Sequence, residues 1–171
     1  MAKSNFIRWG GFAAMSTGIL GFAIIVISMT GNEQEWLYIL LDLMLLIALT
    51  GIYLFQRNKS GTLGILGYTI AVGGNLISFL DFLLPDILWR LGSAILGVGL
   101  ILLAIGLLKV AKFPKWVSIF LILAPVIGIP GLFSEALTSI MVSGVSTFLF
   151  ALGFIGAGYK MWNQFTISEL A

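Results

Sequence analysis

The chain has 171 residues, of which 60% are apolar and 9% charged, with a net charge of +2 and a mean hydropathy of +1.11. A soluble domain carries about a quarter charged residues, so this composition excludes a soluble globular fold and points to a membrane protein. The lack of any Cys or His excludes disulfides, thiol chemistry, Fe–S clusters and ordinary haem or copper ligation, leaving carboxylates as the one route to a hard cation. No cofactor and no metal centre is expected.

A bilayer core of roughly 30 Å needs about 20 apolar residues in helical form, so the length accommodates six spans joined by short connections. The apolar runs, bounded by charges, Gly, Asn or Pro, place these spans at 8–29, 36–56, 61–84, 87–109, 115–133 and 138–160. The expected fold is an all-α polytopic bundle forming a single integral membrane domain. Lys3 and Arg8 precede the first run as in a secretory signal, but the run is too long and lacks a convincing cleavage site. It is read as the first retained span, with small residues at Gly11, Ala14, Gly18 and Gly21.

The second span carries Asp42, six residues past Trp36 and so about 9 Å along the helix. An ionisable group inside a span is a functional candidate by default, because a charge at the bilayer centre costs about 2.5–3.5 kcal/mol on insertion scales. In the third span Gly64, Gly67, Ala71, Gly74, Ser78 and Asp81 recur at alternating spacings of three and four, which puts them on one helix face. Small residues at that period admit a second backbone at close range, and Asp81 ends this stripe where it points into the protein rather than at lipid. Asn75 adds an amide deeper than Asp81.

The fourth span repeats the theme with Gly92, Gly99 and Gly106 at heptad spacing, while Arg90 lies about 7 Å past Pro85, level with Asp42. Such stripes serve packing within one bundle, or dock a membrane-protein partner or a second copy of the chain. Pro125 and Pro130 in the fifth span each delete a backbone hydrogen bond and predict a kink or break there. Arg8 and Arg90 each open a span ahead of a pair of small residues, with three spans between, as two inverted three-helix repeats would require.

Threading the charges through these spans places eight basic residues on one side and only Arg90 on the other. By the positive-inside rule both termini face the cytoplasm, and the expected location is the cytoplasmic (inner) membrane of a prokaryote. The basic residues mark membrane boundaries rather than a soluble face, so nucleic acid is not an expected partner. The five Trp residues also fall near boundaries, where an amphipathic indole is favoured. The acids gather toward the outer side, with only Glu169 inside.

The candidate ligand-binding set is therefore Asp42, Asn75, Ser78, Asp81 and Arg90, with Arg90 answering either Asp42 or Asp81. Pro85, Asp86 and part of Arg90 are explained as a capped turn, since Pro suits the first helical position and Asp86 to Arg90 is a favourable i,i+4 pair. The excess of acid attracts a cation or retains a proton, although charges of this kind also serve as a structural ion-pair knot between helices. No nucleotide loop, zincin motif or Ser-His dyad is present, and no catalytic residue is assigned.

Arg-Trp-Gly-Gly at 8–11 and Phe-Pro-Lys-Trp at 113–116, which opens a Gly- and Pro-rich helix, resemble segments of small uncharacterised multi-pass membrane proteins of prokaryotes. That resemblance implies a fold and no activity. The expected function is binding or transport of a small lipophilic or cationic ligand through an outward-facing acidic pocket. An accessory subunit of a membrane complex is the second reading, and an intramembrane lipid-modifying enzyme using Asp42 and Asp81 the third.

Overall fold

The computed structural model describes residues 2–31, 35–57, 61–80, 87–133 and 138–170. They form six helices: α1 (Ala2–Met29), α2 (Glu35–Gln56), α3 (Gly61–Leu80), α4 (Ile87–Val110), α5 (Lys115–Leu132) and α6 (Thr138–Leu170). All six are long and apolar enough to cross a membrane, and the fold is an all-α six-helix bundle. Helix formation follows from the medium: without water, only intrahelical bonding satisfies every N–H and C=O of a single apolar segment.

The expected boundaries hold to within a residue or two, except that α1 begins six residues earlier and α6 runs ten residues past Lys160. Both extensions are more polar than the spans they prolong, so hydropathy marks where the apolar layer ends and not where the helix ends. α3 is described to Leu80; residues 81–84 of the expected span, and Asp81 with them, lie outside the described residues.

Each helix packs on its neighbours in chain order, and α6 returns against α1 to close a ring. α3 against α4 is the most extensive of these interfaces and α2 against α3 the least among chain neighbours. α1 packs on α6 as α4 packs on α3, a pairing shared by an inverted repeat and by any ring closed in chain order. Inside the ring lie Leu45, Leu49 and Ile52 of α2, Leu103 and Leu107 of α4, Leu121 of α5, and Phe154 and Met161 of α6, all fully buried.

Glycine sets the helix separations. The small residues of α3 and α4 face one another, with Gly67 against the backbone of Leu103, Ala71 against Gly99, and Gly74 between Leu96 and Gly92. Gly64 and Gly106 are buried as well. On the other side of the ring a Cβ at Gly51 would stand 2.6 Å from Gly10 Cα, and one at Gly18 would stand 2.5 Å from Ala151 O. Such backbone contact gathers dispersion energy that hydrophobic burial cannot supply in lipid. Arg8 adds a lateral tie, its guanidinium 4.7 Å from the centre of the Trp162 ring.

α5 corrects the expectation of a helix break at Pro125 and Pro130. It is continuous from Lys115 to Leu132 with both prolines inside it. Pro125 is buried against α4, where a Cβ at Gly97 would lie 2.9 Å from the proline Cβ. From the other side Ser146 Oγ of α6 donates a 2.7 Å bond to the carbonyl of Ala124. Neighbouring helices thus pack on α5 at Pro125 and add a polar contact at the carbonyl just before it.

Candidate functional site

Asp42 sits two turns into α2 and is half-buried. Facing it across the α2–α3 seam, Asn75 is only 2% exposed, and its Nδ2 donates a 3.0 Å bond to the backbone carbonyl of Asp42. The amide therefore anchors α3 to the α2 backbone and leaves the Asp42 carboxylate uncommitted by this bond. Asn75 Oδ1, buried with it, has no hydrogen-bond partner among the described residues. A buried acceptor left without a donor costs about 1–3 kcal/mol, which offsets part of what the Nδ2 bond contributes.

The other expected members divide. Ser78 turns away from α2 and packs on Gly92 of α4, where its Oγ is buried and unbonded. Arg90, near the start of α4, is exposed, and among the described residues no ion pair joins it to Asp42. Asp81 and Asp86 lie outside the described residues. The structure thus brings Asp42 and Asn75 together, assigns Ser78 to the α3–α4 contact, and leaves Arg90 at the rim.

The same seam continues toward the basic end of the bundle. Thr50 Oγ1 donates a 2.8 Å bond to the Leu46 carbonyl and lies 3.2 Å from the Tyr68 hydroxyl. Because the threonine proton is already committed, Tyr68 acts as the donor. The Tyr68 ring stacks on Tyr53, with centroids 4.4 Å apart and planes 10° from parallel. Sequence reasoning passed over Thr50, Tyr53 and Tyr68, although they could have been found from register. In an antiparallel hairpin, residues equidistant from the connection become neighbours, and Thr50 and Tyr68 are nearly so.

A second polar cluster lies at the basic end. Lys112, in the turn between α4 and α5, donates a 2.7 Å bond from Nζ to the Phe55 carbonyl and lies 4.9 Å from the centre of the Phe55 ring. Phe113 packs on that ring at 5.1 Å. The ammonium satisfies one of the terminal carbonyls of α2 and complements its dipole. Gln56, the next residue, is fully buried, and among the described residues neither of its amide atoms nor the buried Ser118 hydroxyl has a hydrogen-bond partner.

Among the described residues no three His, Cys, Asp or Glu side chains come together. Six membrane-length apolar helices define a multi-pass membrane protein. Comparison with protein-family models, curated protein sequences and solved structures yields no match.

Proposed function

We propose that the protein resides in the cytoplasmic membrane of a prokaryote, basic end inward, and binds or moves a small lipophilic or cationic ligand at a site centred on Asp42 and Asn75. Arg90, exposed near the start of α4, belongs to the mouth of that site. The observation carrying the reading is the surplus of acceptors: half-buried Asp42 is met across the α2–α3 seam by Asn75, whose buried amide oxygen is unbonded, and no ion pair engages Asp42 among the described residues. A bound cation, or a proton on Asp42 when the site is empty, relieves that surplus, and exchange between the two couples binding to proton movement.

Two observations favour this over the accessory-subunit reading. No ion pair locks Asp42 to Arg90 among the described residues, and the glycine stripes of α3 and α4 are spent on each other rather than left for a partner. The test is calorimetric titration of tetramethylammonium into the protein in lipid nanodiscs. Asp42→Asn is expected to abolish binding while leaving the melting temperature unchanged. Equal binding by both proteins would sink the proposal. Orientation is checked separately, since the chain has no native Cys: Glu35→Cys should react with an impermeant maleimide on intact cells and Arg57→Cys should not.

A further inference from the structure

We infer that the ligand of this site is an amphiphilic organic cation rather than a bare metal ion, and that its apolar body lies in the α2–α3 seam against Tyr53 and Tyr68. The inference rests on the reading of Asp42 and Asn75 given above and names the chemistry they serve.

The seam differs in construction from those where backbones touch. α1 meets α2 through Gly10 and Gly51, and α3 meets α4 through Gly67, Gly74, Gly92 and Gly99. α6 meets α1 in the same backbone-to-backbone way through Gly158, Gly11 and Gly18, whereas Gly97 of α4 receives the side chains of Pro125 and Ile129 from α5, and Gly128 and Gly153 receive those of Ser146 and Leu121 across the α5–α6 seam. Gly51 of α2 faces α1, Gly67 and Gly74 of α3 face α4, and Gly73 has nothing within 4 Å of its Cβ position, so none of these four closes α2 on α3; that seam carries the Asn75 bond, the Thr50–Tyr68 bond and the tyrosine stack. Where backbones touch, nothing can enter without separating helices. Where long side chains hold them apart, a guest enters by exchanging with those side chains at unchanged backbone positions.

Polar groups occur in this seam at two levels. Thr50 lies eight residues from Asp42, about 12 Å along α2, and residues 43–49 between them are all apolar. The seam therefore matches a guest with a positive charge at one end and an apolar body about 12 Å long. A metal ion fits poorly, because hard cations take six or more oxygens in a closed shell and the described residues offer a carboxylate and one amide oxygen. A weakly hydrated quaternary ammonium needs only one countercharge and apolar or aromatic walls.

The experiment compares tetramethylammonium with (4-phenylbutyl)trimethylammonium, which adds an apolar body to the same head, by calorimetry in nanodiscs. The wild-type protein is expected to bind the longer cation at least tenfold more tightly. Tyr68→Leu should weaken the longer cation at least fivefold and leave the shorter within twofold, whereas Asp42→Asn abolishes both. If Tyr68→Leu fails to fold, Tyr53→Leu carries the same expectation. Equal wild-type affinities, or a tyrosine variant that changes both probes alike or neither, overturn the inference while the Asp42 site stands. Binding of neither probe by the wild-type protein overturns both.

Discussion

Adjacent glycines in α3 provide the sharpest test of how this bundle is held together. Gly74 faces α4, where an added Cβ would lie 2.7 Å from both Gly92 O and Leu96 Cα. Gly73, the preceding residue, has nothing within 4 Å of its Cβ position. Ordinary carbon contacts lie at about 3.5–4.0 Å, so Gly74→Ala forces α3 and α4 apart by roughly 1 Å at their tightest point. Overpacking of this kind costs about 1–3 kcal/mol, and the helix propensity gained by replacing glycine returns about 0.5–1 kcal/mol. The net expectation is a loss of about 1–2 kcal/mol for Gly74→Ala and a gain of up to about 1 kcal/mol for Gly73→Ala. Reversible unfolding in mild detergent, followed by circular dichroism against added denaturing detergent, measures both. If Gly73→Ala destabilises as much as Gly74→Ala, glycine acts here through backbone flexibility and the close-approach argument fails.

Gln56→Leu should stabilise the protein by about 1–2 kcal/mol, because the leucine removes two buried polar atoms that have no partner; a loss of stability in the same unfolding assay would mean that the amide is satisfied. Ala111 adopts φ +52° in the turn between α4 and α5, a left-handed conformation that costs a side-chain-bearing residue about 1–2 kcal/mol. Ala111→Gly should therefore raise the unfolding midpoint, and a lowered midpoint would contradict the strain. Ser146→Ala removes the 2.7 Å bond to the Ala124 carbonyl beside Pro125 and should cost about 1 kcal/mol, with faster amide exchange near Pro125 by mass spectrometry. Unchanged exchange would show that α5 keeps its shape without help from α6.

The legible parts of this protein are those governed by the medium. Span positions follow from apolar length, and the spacing of Gly67, Ala71 and Gly74 marks a face of α3 before its partner is known. The site was less legible. Asp42 stands out by its depth, but Ser78 shares its helical face with Gly74 and therefore goes to α4 with it, whereas Asn75, one position round, reaches α2. A residue's face is readable from periodicity; which neighbour occupies that face is not.

The prolines of α5 make the same point from the opposite direction. Proline chemistry argues for a break at Pro125, and it is the side chain of Ser146, more than twenty residues away in the chain, that meets the adjoining carbonyl. Tyr53 and Tyr68 each look like one more amphipathic ring until the register of the α2–α3 hairpin is worked out, and the structure stacks them.

What the amino-acid order determined by itself is the solvent of this protein and its response to it: six apolar segments must each close their own backbone hydrogen bonds, and so become helices. Which helices touch at backbone distance, and that α2 and α3 meet through Asn75, Thr50, Tyr53 and Tyr68, was decided only in the tertiary structure. The physical reason is that lipid rewards every apolar face equally, so the choice among faces falls to the short-range fit of one helix surface against another.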